Sequence, residues 1–260
     1  MSKARHRWSG LLPFGRRGVR GEDFVRRIST DAPVLEIGPF VSPRLTGPQV
    51  RYFDLLDQAG LNARAGRKGL SETAPAIDYV SPTGDLSVVP GPFAAVFSAH
   101  CIEHQLDLVA HLGAVERLLG AGGRYFLIVP DKRYCMDHFL PETTVAAVIG
   151  AHLNPPSRHT ARSVIEHRAL TTHNSPRRHW RGDHGEPGPD PDRLKAAIAE
   201  ATSDRASDVH AWTFTPESFR RLIESLGQAG LTRLVAEEVH PTAFGRGEFC
   251  AVLRRAADEP

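Results

Sequence analysis

Residues 93–98 (Phe-Ala-Ala-Val-Phe-Ser) are apolar almost throughout, and residues 124–129 (Arg-Tyr-Phe-Leu-Ile-Val) form a second such run. Between them Leu108, Leu112, Val115, Leu118 and Leu119 recur at spacings of three and four. That spacing predicts a helix over 106–119 with one apolar stripe. Strands apolar on both faces are covered on both faces, as in parallel sheets. Upstream, 33–37 and 49–53 predict two strands, 76–80 a third, and 22–28 a short lead-in helix. Residues 93–98 and 124–129 are then the fourth and fifth strands, the fifth following a Gly122-Gly123 break. Strands and helices alternate through residue 130, the mark of a doubly wound sheet. Ligands of such sheets bind at the carboxyl ends of the strands, which puts residues 98–104 at the mouth of a site.

The pattern changes at 131–211, which is rich in His, Arg and Pro and periodic only over 143–153 and 192–201. A loop of that length inside a compact domain is functional or disordered. Regularity returns at Thr215-Pro216-Glu217, an N-cap followed by Pro and an acidic first turn. Phe219, Leu222, Ile223 and Leu226 share one face of that helix, and 231–237 and 248–253 predict two closing strands. The organisation expected is a basic arm (1–20), a sheet domain (21–130 with 212–254) and an inserted substrate or lid region (131–211).

Composition narrows the partners. The net charge of the 260 residues is +2, so nothing global points to nucleic acid or an anionic membrane. Basic residues gather near the start (Lys3, Arg5, Arg7, Arg16, Arg17, Arg20, Arg26, Arg27), as expected of a solvated arm. Cys101, Cys135 and Cys250 have no metal spacing and fit a reducing compartment. The run 11–14 is too short for a signal peptide, and no run reaches spanning length. A cytoplasmic protein with no integral membrane segment is expected; the oligomeric state is not legible.

His100-x-x-Glu103-His104 matches an inverted zinc-protease motif. That chemistry needs both imidazoles on one face of a continuous helix. Because the segment directly follows a strand, metal-dependent hydrolysis is the lesser reading.

The order of five pieces resembles the class I S-adenosylmethionine-dependent methyltransferases: Val34-Leu35-Glu36-Ile37-Gly38, Asp54, Asp78-Tyr79, the segment from Ser98 to His104, and the Leu118-to-Arg124 turn. The resemblance implies a Rossmann-like sheet of seven strands, mostly parallel, with a substrate-binding insertion after strand five. It implies S-adenosyl-L-methionine as cofactor, with Glu36, Gly38 and Pro39 in the first loop, although Pro39, Val41 and Ser42 replace further glycines. Asp54 is placed to accept from both ribose hydroxyls, with Asp57 as fallback. Asp78 and Tyr79 are placed at adenine, with Asp85 as the rival acid. Ser98 and His100 would line the mouth, so that Glu36, Asp54 and Asp78 ring one cavity. A dinucleotide dehydrogenase uses a similar acid, but Gly-x-Gly-x-x-Gly is absent and little room remains after Gly38 for a phosphate-binding helix. Part of the superfamily holds a divalent metal with an acid-acid-His cluster; His100 replaces the first acid, so no metal is expected.

More loosely, Pro130-Asp131-Lys132-Arg133-Tyr134 and His210-Ala211-Trp212-Thr213-Phe214-Thr215-Pro216 resemble a bacterial branch associated with sugars and cell-surface glycans. That implies O-methylation of a saccharide, glycan or glycosylated metabolite, with N- or C-methylation of a small molecule as the alternative. A sugar hydroxyl needs a base near neutral pKa, and the candidates in order are His184, His179 and His100. Asp183 is a further candidate. Trp180 and Trp212 are expected to stack on a sugar, and Lys132, Arg133, Arg177, Arg178 and Arg181 to meet anionic groups.

Overall fold

A computed structural model describes residues 18–204 and 207–257. The arm residues Lys3, Arg5, Arg7, Arg16 and Arg17 lie outside the described residues, as does the run 11–14. Seven strands form one sheet: β1 (Val34–Ile37), β2 (Val50–Asp54), β3 (Tyr79–Val80), β4 (Phe93–Ala99), β5 (Leu119–Pro130), β6 (Leu234–Val239) and β7 (Glu248–Arg255). Their order is β3-β2-β1-β4-β5-β7-β6. The first five run parallel, and β7 lies antiparallel between β5 and β6. The expected α/β sheet, seven-stranded and mostly parallel, is therefore present.

The helices are α1 (Gly21–Val25), α2 (Gln58–Arg67), α3 (Leu108–Leu118), α4 (Val145–Leu153), α5 (Ala161–Ala169), α6 (Pro176–His179), α7 (Pro191–Ala201) and α8 (Pro216–Gln228). Leu108, Leu112, Val115 and Leu118 of α3 and Phe219, Leu222, Ile223 and Leu226 of α8 pack on one sheet face against Val96, Leu127 and Phe249. Burying side chains of this size contributes roughly 1.5–3 kcal/mol each. On the other face Phe24 of α1 meets Phe97 and Phe126. Asp107 caps α3 by accepting from the Ala110 N–H at 2.9 Å. Thr215 and Ser218 cap α8 reciprocally, so its start is fixed from both sides.

Three differences from the sequence reading bear on function. First, α2 occupies a stretch for which the periodicity predicts no element; only Leu61 and Ala65 are buried, and Asp57, the fallback acid, is its N-cap. Second, β3 has two residues and Asp78 precedes it. Third, β5 begins at Leu119, and Gly122 takes φ 70° where strand pairing is irregular, so the Gly-Gly break is a bulge. Residues 38–49 contain no helix, as the spacing implied. No helix among the described residues is long and apolar enough to cross a membrane.

Candidate functional site

Strand order reverses between β1 and β4: β2 and β3 continue to one side, β5, β7 and β6 to the other. In open sheets of this kind ligands bind outside the carboxyl ends of the strands at such a reversal, which here are the loops leaving β1 and β4. Gly38 leaves β1 with φ 72°, and a Cβ there would meet nothing within 4 Å. A ligand can therefore approach its backbone. Its N–H donates to the Phe53 carbonyl at 2.9 Å, tying the exit of β1 to that of β2. Pro39 is buried behind it. Asp54 ends β2 and is 8% exposed. Its oxygens accept from the Leu55 N–H at 2.7 Å and, more weakly, the Phe40 N–H at 3.4 Å. A carboxylate has about four acceptor positions, so capacity for a diol remains. Burial raises the Asp54 pKa, against the pull of those amides and of Arg64.

The other expected cofactor residues do not join Asp54. Glu36 is 2% exposed and spends both oxygens on the Arg44 N–H (2.9 and 3.1 Å) and the Leu45 N–H (2.9 Å). It holds the loop after β1. Asp78 accepts from the Tyr52 N–H at 2.8 Å and faces Arg51 at 3.7 Å, before rather than after β3. Tyr79 pairs with Phe53 and packs against the core. Ser98 is 1% exposed, its hydroxyl 2.7 Å from that of Tyr125, so its side chain lies in the core and not at the mouth. The rival acid Asp85 follows β3 but accepts from the Ser87 N–H and hydroxyl. Three carboxylates ringing one cavity is thus corrected to a single acid, Asp54, beside Gly38.

The β4 tip is more informative. His100 takes φ 50°, a left-handed conformation that turns the chain sharply. Its Nε2 lies 3.1 Å from Glu248 at the start of β7. Burial depresses the His100 pKa, but the bond to Glu248 and the charge of Glu103 outweigh it and the pKa is raised. Glu103 does not start α3; it sits in a 3-10 turn (Ile102–His104) and is 1% exposed. Among the described residues neither of its oxygens has a hydrogen-bond partner. Three imidazoles face its Oε1: His100 Nδ1 at 3.7 Å, His104 Nε2 at 3.9 Å and His210 Nε2 at 4.0 Å. His210 Nδ1 lies 2.6 Å from Asp137, and that bond lifts its pKa against burial. His210 and Glu248 come from distant parts of the chain and were not among the expected site residues, although His210 opens a segment singled out above.

His179 and His184 form a separate cluster, Nδ1 to Nδ1 3.0 Å, with His138 stacked on His184 at 3.8 Å. Neither is hydrogen-bonded to the β4 tip among the described residues, so of the three expected bases only His100 stands on the sheet edge. Asp183 pairs with Arg178 at 2.7 Å. Trp212 is in the core, its indole donating to the Gln105 carbonyl at 2.6 Å. Trp180 stacks on Tyr134 at 4.0 Å and donates to the Arg246 carbonyl, fastening α6 to the β7 entrance. Trp212 is therefore buried and Trp180 already stacks on Tyr134, unlike the open platforms expected. Lys132 donates to the His138 carbonyl and Arg133 to Asp131, so both serve local structure, whereas Arg177 and Arg181 are exposed. Near the end of the insertion Asp208 pairs with Arg64 of α2 and lies 3.3 Å from His104.

The fold and edge define an open α/β protein with Gly38, Asp54 and a histidine–carboxylate cluster at the carboxyl ends of its strands. No family model and no curated protein sequence matches the chain. Among solved structures it is similar to the CcbJ methyltransferase from Streptomyces caelestis (14% identity, 91% of this chain and 88% of that one, TM-score 0.46). It is also similar to a putative Zn-dependent alcohol dehydrogenase from Rhodobacter sphaeroides (14%, 94% and 92%, TM-score 0.49). A third is the mitomycin 7-O-methyltransferase MmcR (13%, TM-score 0.42), where 87% of this chain spans half of that one. At such scores the chemistry has to be read from this chain's own residues.

Proposed function

We propose that the protein transfers a methyl group from S-adenosylmethionine to an oxygen of a saccharide or glycosylated small molecule. One observation carries the cofactor: Gly38 and the acid Asp54 meet at the switch point, yet 38–49 contains no helix. A dinucleotide pyrophosphate is held at the N-terminus of a helix in that position. An adenosine without phosphates needs only the diol acceptor and the open glycine, and those are the groups present.

When bound, the cofactor supplies an activated methyl group on a sulfonium, leaving in-line positioning and exclusion of water to the protein. Asp54 would hold the ribose hydroxyls and Gly38 would let the ligand lie against backbone. His100 is the base. With Nε2–H held by Glu248, the lone pair of the neutral ring is on Nδ1, facing Glu103. The acceptor hydroxyl gives its proton to Nδ1, and the two carboxylates stabilise the resulting imidazolium. Phe244, 82% exposed and 5.1 Å from Trp180, offers the aromatic face that Trp180 and Trp212 do not. Incubation with isotopically labelled donor and a panel of glycosides tests the reading. Label on a hydroxyl of at least one glycoside is expected; label confined to amines refutes the oxygen acceptor, and no label on any panel member refutes the saccharide.

A further inference from the structure

A carboxylate removed from water and left without a hydrogen bond is costly unless a cation meets it. Glu103 is in that position at 1% exposure, and its Oε1 points at imidazole nitrogens 3.9 and 4.0 Å away on His104 and His210, too far to hydrogen-bond. We propose that Glu103 Oε1, His104 Nε2 and His210 Nε2 bind a divalent transition-metal ion.

The outer nitrogens argue for this independently of Glu103. His104 Nδ1 lies 3.0 Å from the Val209 carbonyl, which can only accept. The proton is therefore on Nδ1 and the lone pair on Nε2. His210 donates Nδ1–H to Asp137 at 2.6 Å, which likewise leaves its lone pair on Nε2. Both inward lone pairs converge with the carboxylate, all three atoms lying within 4.8 Å of one another. An outer carbonyl or carboxylate fixing the tautomer of each ring is how metal-binding histidines are oriented. Ordinary stacking or a surface role would not require both rings to present the same tautomer to one buried acid.

Two imidazoles and a carboxylate favour Zn²⁺, Mn²⁺, Fe²⁺ or Co²⁺ over Mg²⁺ and Ca²⁺, which prefer all-oxygen sites. Three ligands leave positions open for a substrate hydroxyl. His100 Nδ1 stands 3.7 Å from the same Glu103 oxygen, so a metal-bound hydroxyl would lie beside the proposed base. This last step rests on the methyl-transfer reading; ion binding does not.

The test is a titration of the chelator-stripped full chain with Co²⁺, without S-adenosylmethionine, read by visible d–d absorption and by displacement with Zn²⁺. The wild type is expected to develop the bands. His210→Ala and Glu103→Gln should lose them while circular dichroism stays native, and Asp137→Asn should weaken Co²⁺ binding about 10–100-fold. His184→Ala, which breaks the other histidine cluster, should retain them. A wild type without bands, bands that survive His210→Ala, or bands lost in His184→Ala would each overturn the assignment. A failure of methyl transfer leaves this titration unaffected, so the two proposals fail separately.

Discussion

Two buried polar clusters grow from the same strand end and are treated in opposite ways. In one, the Tyr125 hydroxyl lies between Ser98 Oγ at 2.7 Å and His111 Nε2 at 3.0 Å, so each group finds a partner within the core. In the other, five residues further along, Glu103 has none among the described residues and is approached by three imidazoles. A satisfied network stabilises and specifies a core, whereas an unsatisfied buried acid marks work done elsewhere. Burial acts accordingly: it drives the His111 pKa down to about 4, so that ring stays neutral, while His100 and His210 gain proton affinity from their carboxylates.

Substitutions on either side can break the contrast. The largest effect is expected at His100: His100→Ala should lower kcat about 10³-fold, as for loss of a general base, with a melting temperature near that of the wild type. Retention of rate would turn the reading toward a nitrogen acceptor. In the same site Glu248→Gln removes a group that raises the His100 pKa. The acid limb of kcat/KM, where His100 must lose its proton to act, should therefore move to lower pH. A limb that stays in place takes the base role from His100.

On the satisfied side the unfolded chain holds more protons than the folded one wherever His111 alone is kept neutral. The contribution is complete above pH 6.5 and is lost as pH falls toward about 4, on the order of 3 kcal/mol. Denaturant unfolding of wild type and His111→Gln across that window should show a shallower slope for the variant. Tyr125→Phe leaves Ser98 and His111 without their shared partner, at about 1–3 kcal/mol for each orphaned group, and should not alter cofactor affinity. The smallest effect is expected at the surface. Arg124→Ala, which breaks a half-exposed pair with Glu237 at 2.6 Å, should cost no more than about 1 kcal/mol.

Apolar runs made β1 and β4 legible because those strands are buried on both faces, and periodicity made α3 and α8 legible because each buries one wide stripe. It missed α2, whose buried stripe is only Leu61 and Ala65. At the site, a sequence shows that an acid stands near a strand tip, but not how its lone pairs are spent. Glu36 spends both oxygens on the Arg44 and Leu45 amides and Asp78 turns to the Tyr52 amide and Arg51, while Asp54 stands at the end of β2 next to the loop that leaves Gly38. The two tryptophans misled for the same reason: their indole partners, Gln105 and Arg246, are set by tertiary packing. His210 reaches Glu103 across more than a hundred residues, a meeting no local spacing announces.

Calorimetry of the purified chain with S-adenosylmethionine and, separately, NAD⁺ addresses the central claim most directly. One equivalent of S-adenosylmethionine should bind and NAD⁺ should not. Asp54→Ala should weaken that binding about 100-fold, the value of one or two charge-assisted hydrogen bonds. Binding of NAD⁺, or an affinity for S-adenosylmethionine that Asp54→Ala leaves unchanged, would contradict the account.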